Sequence, residues 1–224
     1  HTERMLEGFG YSIRRKKNSI SLRGGGYLTG HRIEVPGDLS SAAFFLVGAS
    51  ITPGSDILLQ HVGINPTRIG ILKILELMGA DFQIVNSREM SGEPVADIRV
   101  RYAKLSGIEI PESLVPLAID EFPAIFIAAA CAEGPTKLSG AAELRVKESD
   151  RISCMAAGLD TLGVKNKVKD DGIIISGGGK RQWLQFANKG CQAWLNGIGV
   201  FEPILPTIFY KAYQGISLEG SISY

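Results

Sequence analysis

The sequence predicts an α/β (α+β) fold built from repeated βαβαββ units and incomplete as a set, on three observations. Two segments, Asp38-Leu-Ser-Ser-Ala42-Ala-Phe44 and Asp120-Glu-Phe-Pro-Ala124-Ile-Phe126, place Asp, Ala and Phe at identical offsets. Three others, Thr2 to Gly10, Thr67 to Gly79 and Asp150 to Gly163, carry apolar residues at helical spacing and stop at a glycine. Each of these three is followed by a pair of short strand-like runs. Units of this size cannot each bury a core alone, so they are expected to pack around one another with their small-residue helices inside.

The elements follow in order. His1 to Gly10 reads as an amphipathic helix in mid-course, and because the chain opens on His1 rather than Met, a natural start upstream is expected. Tyr11–Arg15 and Ser19–Arg23 form the first strand pair. Asp38 and Asp120 each stand before a small-residue apolar stretch, the pattern of an N-cap and a buried helix. The strands Asp56–Val62 and Thr136–Gly140 follow these helices. The glycine-stopped helices at 67–79 and 150–163 lead to the pairs Asp81–Val85 with Asp97–Arg101 and Val164–Val168 with Gly172–Ser176. Residues 87–94 and 103–118, rich in Ser, Glu, Gly and Pro, read as loops.

Three regions result. Residues 1–35 are the end of one domain, 36–176 are most of a second containing two repeats, and the boundary falls at Val35-Pro36-Gly37. In residues 177–224 the periodicity disappears and both tryptophans, Trp183 and Trp194, occur. This divergent tail is expected to pack poorly or to adopt a conformation unrelated to the repeats.

Bulk properties narrow the function classes. Lys+Arg 24 against Asp+Glu 23 gives a net charge of +1, with no electrostatic footprint for nucleic acid. A phosphorylated small substrate is compatible, since a few local cations hold such a ligand without marking the overall charge. The three cysteines, Cys131, Cys154 and Cys191, are odd in number and widely spaced, and no metal-ligand spacing is present. No apolar run reaches the ~18–20 residues that span a bilayer. A cytoplasmic protein in a reducing compartment is expected, with no membrane partner.

Three strings carry chemistry: Pro36-Gly37-Asp38-Leu39-Ser40-Ser41-Ala42, Asn65-Pro66-Thr67-Arg68, and Arg145-Val146-Lys147-Glu148-Ser149-Asp150-Arg151. In the third, Lys147, Glu148 and Arg151 occupy a turn leading into a helix. Two cations and a carboxylate can face one pocket there beside the positive end of the helix, which suits a phosphate or carboxylate ligand. Asp120 supplies a second carboxylate if the repeats bring the strand ends together. Plain structural readings stand beside these. Asp120 is equally an N-cap, the charged string a solvated turn, and Asn65-Pro66-Thr67 a turn with a cap. Gly177-Gly-Gly-Lys180 lacks the spacing of a phosphate loop. His31 and His61 have no partner pattern and read as structural or exposed.

In combination and in this order, the three strings resemble the EPSP synthase family, whose GDxSSAA, NPTR and RVKESDR motifs stand here almost letter for letter. The resemblance runs from His1 to about Ser176. It implies the inside-out barrel of the enolpyruvyl transferases, in which two domains of three βαβαββ units close over the substrates. It also implies transfer of the enolpyruvyl group of phosphoenolpyruvate to the 5-hydroxyl of shikimate 3-phosphate, with release of phosphate, in aromatic amino acid biosynthesis. By the same resemblance Asp120 is the proton acceptor and Lys147 holds the shikimate phosphate. Glu148 is the second acid/base carboxylate, and Arg151 binds phosphoenolpyruvate. No metal or cofactor is implied, and the parent enzyme is expected to be a monomer.

The family's Lys-Ser phosphate motif, its Ser-Ser/Ala-Gln substrate loop and a later Asp-His-Arg string with a final lysine are not found in the sequence. Turnover by this chain alone is therefore not expected. Two other readings remain: the sibling transferase acting on UDP-N-acetylglucosamine, whose sugar-nucleotide motifs are not seen, and a non-catalytic relic domain.

Overall fold

The computed structural model describes residues 1–17, 19–147, 149–178 and 219–222. A short helix, α1 (Thr2–Gly8), buries none of its residues and leads to the hairpin β1 (Ile13–Lys16) and β2 (Ser19–Leu22). Two complete units follow. The first opens at Gly37, which bridges Val62 in parallel, and continues through α2 (Leu39–Ile51), β3 (Asp56–Gly63), α3 (Gly70–Leu77), β4 (Asp81–Met90) and β5 (Glu93–Arg101). The second opens with an extended segment whose Ser106 and Glu109 bridge Glu133 and Lys137 in parallel. It then runs through α4 (Phe122–Cys131), β6 (Glu133–Leu138), α5 (Arg151–Thr161), β7 (Asn166–Lys169) and β8 (Gly172–Gly178).

Both units are βαβαββ, and their sheets share one order: β4-β5-β3 in the first and β7-β8-β6 in the second. The backbone of β9 (Glu219–Ile222) extends the first sheet, pairing in parallel with Asp56–Leu59 of β3.

The core sits where the repeat places it. All ten residues of α4 are buried, and α2 buries nine, among them Ala42, Ala43 and Ala49 with no exposed surface. Helices apolar on every side have no polar face to turn to water, so they fit only the interior. α2 packs against α4, and α3, α5 and β8 pack on α4 in turn. Each large side chain fully withdrawn here, such as Phe122, Phe126, Leu46 or Ile125, contributes about 1.5–3 kcal/mol of hydrophobic stabilisation. The three glycine stops behave alike, with Gly10, Gly79 and Gly163 at φ of 83°, 85° and 79°.

Several expectations are corrected. Residues 87–94 are not a loop but the end of a long hairpin, in which β4 and β5 pair as far as Met90 with Glu93. Ser91 and Gly92, both at positive φ (50° and 82°), make the two-residue turn. Such a turn needs that backbone at both central positions, and an exposed hairpin arm is polar by necessity, so its composition resembles a loop. Residues 103–118, by contrast, are irregular as expected, with one 3-10 turn, Glu112–Leu114, besides the bridging residues above. The strand expected at Thr136–Gly140 begins earlier, at Glu133.

The second helix begins at Phe122, with Glu121 at the cap position and no side-chain cap bond. Asp120 is thus not an N-cap, whereas Asp38 is: its carboxylate accepts from the N–H groups of Ser40 and Ser41. Of the tail expectation for 177–224, residues 179–218 and 223–224 lie outside the described residues. Gly177 and Gly178 end β8, so the Gly-Gly-Gly-Lys string starts on a strand.

β5 also pins two irregularities in its neighbours. His61 on β3 and Asn86 on β4 both have positive φ (59° and 52°), each within a break in strand register. Both bond to Asp97, the His61 N–H at 2.9 Å and the Asn86 Nδ2 at 2.8 Å. Burial alone would raise the Asp97 carboxyl, but these bonds and the nearby Arg88 hold it below its usual range.

Candidate functional site

Five segments from the two units converge on one patch. Asp120 and Glu121 lie in the turn ahead of α4. Lys147 follows a 3-10 turn, Ala142–Arg145, and Arg151 opens α5. Arg68 comes from the turn before α3, and Ser40 from the first turn of α2.

Local chemistry fixes each of them. Asp150 caps α5 by accepting from the Ser153 N–H and hydroxyl, and Arg145 Nη1 adds a third bond at 2.7 Å. The Ser153 backbone bond, with the Ser153 hydroxyl and Arg145 behind it, lowers the Asp150 carboxyl against the cost of burial. Arg145 also donates to the carbonyls of Lys169 and Asp170, tying the site turn to the hairpin of β7 and β8. In the other unit, buried Asn65 accepts from the Thr67 N–H and hydroxyl and donates to Glu93 at 3.0 Å. That closed turn sets the start of the Arg68 side chain.

Asp120 is the centre. Its Oδ1 lies 3.3 Å from Arg151 Nη1 and 3.7 Å from Lys147 Nζ. Its Oδ2 lies 3.7 Å from Arg68 Nη2. Lys147 is shared with Glu143 at 3.1 Å, and chiefly that bond, with Asp120 adding and Arg151 opposing, raises the ammonium above its usual value. Side-chain exposures of 24% for Lys147 and Arg151, 36% for Asp120 and 40% for Arg68 leave the cluster open to solvent. Each pair is therefore a modest attraction, and the cations retain capacity for an incoming anion.

Behind Asp120 sits a group that sequence reasoning did not single out. The Glu121 side chain is 1% exposed. Burial, opposed by the Ser40 hydroxyl and by Arg68, pushes its carboxyl above the usual range. Ser40 Oγ donates to Glu121 Oε1 at 2.5 Å and accepts from Arg68 Nη2 at 2.8 Å. Arg68 and Ser40 belong to two of the three strings, but their local spacing alone assigns them no partner. The available signal was a Glu directly preceding a wholly apolar helix, a place where an ionisable group needs a partner.

The structure thus brings together Asp120, Lys147 and Arg151. Glu148 lies outside the described residues. A cavity of about 500 Å³ between the 31–39 linker and the tip of the long hairpin is lined by Arg68, Asp38 and Asn65, among others, but by none of Asp120, Lys147 and Arg151. Arg68 is thus common to the cavity lining and to the charged cluster around Asp120. Among the described residues no group of three His, Cys, Asp or Glu could hold a metal ion, and no helix is long and apolar enough to cross a membrane.

Comparison with known proteins gives consistent results. The family model described as EPSP synthase (3-phosphoshikimate 1-carboxyvinyltransferase) matches residues 1–190, reaching past Ser176. A 3-phosphoshikimate 1-carboxyvinyltransferase of Alkalilimnicola ehrlichii is 65% identical over 177 residues, 79% of this chain and 40% of that protein. Another, from Methylococcus capsulatus, is 62% identical over 81% of this chain and 41% of its own length. The chain therefore spans about 40% of the length of the curated relatives it matches. Among solved structures, an EPSP synthase of Acinetobacter baumannii superposes with a TM-score of 0.78 at 61% identity, covering 80% of this chain and 41% of that one. The enolpyruvyl transferase NikO of Streptomyces tendae, 15% identical with a TM-score of 0.51, shares the fold.

Proposed function

The chain belongs to the EPSP synthase family, and from that premise we propose that it carries one face of a site that transfers the enolpyruvyl group of phosphoenolpyruvate to the 5-hydroxyl of shikimate 3-phosphate. In this reading residues 1–35 end one domain and residues 36–176 make most of the other. The observation that supports it best is one carboxylate, Asp120, ringed by Arg68, Lys147 and Arg151 at 3.3–3.7 Å.

The chemistry asks for that arrangement. Addition of the hydroxyl to the enol carbon needs a base for the hydroxyl proton and a proton donor for the methylene. The tetrahedral intermediate then collapses, a base taking back a proton from the new methyl group as the C–O bond to phosphate breaks, and cations must balance two phosphates and a carboxylate throughout. Asp120 takes the hydroxyl proton. Lys147 binds the phosphate of shikimate 3-phosphate, Arg151 binds phosphoenolpyruvate, and Glu148 serves as the second acid/base group. Lys147 offers a compact charge, and Arg151 a planar fork suited to carboxylate or phosphate.

The test uses a full-length relative with the substitution aligned to Asp120→Ala. Turnover is expected to vanish while thermal stability and the amide spectrum stay those of the parent enzyme. Retained turnover would refute the role of Asp120. The present chain, assayed alone with both substrates, is expected to show none, since it spans about 40% of those relatives.

A further inference from the structure

Glu121 and Arg68 lie outside the roles just assigned, yet they contact Asp120 or its immediate partners. Glu121 is withdrawn from water, and a carboxyl in such a place is stable only with partners. Its Oε1 has two: the Ser40 hydroxyl at 2.5 Å and Arg68 Nη2 at 3.5 Å. The same Nη2 donates to Ser40 at 2.8 Å and lies 3.7 Å from Asp120 Oδ2. Ser40 is itself immobilised, because its backbone N–H is bound by the Asp38 cap at 3.2 Å. The chain of contacts thus runs from a helix cap in the first unit to the central carboxylate of the second.

Charge geometry gives this chain a direction. Arg68 lies between two carboxylates, one buried and one 36% exposed, and attraction is stronger where water is excluded. The buried Glu121 therefore sets where the guanidinium lies, and Asp120 meets a cation already placed. Asp120 Oδ2 is engaged on that side, and Oδ1 is left facing Lys147 and Arg151.

We propose that Glu121 is a positioning residue: through Ser40 and Arg68 it fixes the rotation of the Asp120 carboxylate, so that Oδ1 alone is presented to the substrate side. This rests on the reading of Asp120 as proton acceptor for its importance to the reaction, but not for its geometry. The arrangement also couples the two units, since Ser40 and Arg68 come from one and Asp120 and Glu121 from the other. A carboxylate rotated by the loss of its rear partner would point the wrong lone pair at the hydroxyl, and misplacement on that scale costs up to about a hundredfold in rate.

The test is made on the full chain labelled with 13C at the Asp and Glu carboxyls, at a pH above the titration of Glu121 read from its own signal. Glu121→Gln keeps an acceptor for Ser40 but removes the charge that holds Arg68. The Asp120 carboxyl resonance is expected to move in the same direction as in Arg68→Met, and the double variant to move no further than Arg68→Met alone. Amide signals of α5, β7 and β8 should stay in place. An Asp120 signal unmoved by Glu121→Gln, or shifts that add in the double variant, would overturn the proposal. If Glu121→Gln does not fold, Ser40→Ala replaces it in the same cycle with the same two outcomes. No turnover is needed, so a failure here is separable from a failure of Asp120→Ala in the full-length relative.

Discussion

Arg151 Nη1 stands 3.3 Å from Asp120 Oδ1 across thirty-one positions of sequence. With Lys147 and Arg68 close by, one carboxylate offsets part of three positive charges. Asp120→Asn in this chain is expected to tighten binding of inorganic phosphate severalfold, since a charge pair at about 4 Å in water-like surroundings is worth ~1 kcal/mol. Isothermal titration of the variant against the parent chain checks this, and equal affinities would mean that the three cations do not share an anion.

Lys147 and Arg151 should separate by substrate. In a full-length relative, the substitution aligned to Lys147→Met is expected to weaken shikimate 3-phosphate, and that aligned to Arg151→Met to weaken phosphoenolpyruvate. Each loses hydrogen bonds to a charged group, worth about 1.5–3 kcal/mol, or roughly ten- to a hundredfold in affinity. Fluorescence titration with each substrate gives the answer. Loss of both affinities to the same extent in both variants would argue for a general electrostatic effect.

Glu121 should leave a signature in stability against pH. Its folded carboxyl is raised above the ordinary value near 4.5, so between the two values the folded state holds more protons than the unfolded one. Stability is therefore expected to fall as pH rises through that window and to level off above it. Glu121→Gln removes the titration. Urea unfolding of both chains from acid to neutral pH should show the parent gaining stability relative to the variant as pH falls, and a pH-independent difference would contradict this.

Asp56 should behave in the opposite sense. Arg99, through bonds at 2.8 and 2.6 Å, and then Arg101 hold its carboxyl at about 2, against an ordinary value of 3.8. Its contribution is present above the ordinary value and is lost as pH falls toward about 2. Asp56→Asn should flatten the acid limb of the unfolding profile without changing its neutral shape. The pair is solvent-exposed, so salt should weaken the effect.

Much of this was legible in the chain itself, for identifiable reasons. The buried helices were readable because α2 and α4 are apolar on all sides and share offsets, and the glycine stops because each needs positive φ. Lys147 and Arg151 were readable because they stand four residues apart where a turn leads into one helix. The long hairpin was not, since an exposed two-stranded arm must be polar and its turn residues look like any loop. Glu121 was passed over because its significance is a contact with Ser40, eighty-one positions away, and no local pattern encodes that distance. Arg68 was visible as a letter in a string, but its partner choice depends on which carboxylate is buried.

α4 carries Pro123 in its first turn. The matching turn of α2 offers its N–H groups to Asp38, while a proline nitrogen has no hydrogen to offer. The second copy of the unit can therefore begin its helix without drawing on the acid that precedes it. One aspartate keeps the architecture while its twin, excused from it, is left to face Arg68, Lys147 and Arg151.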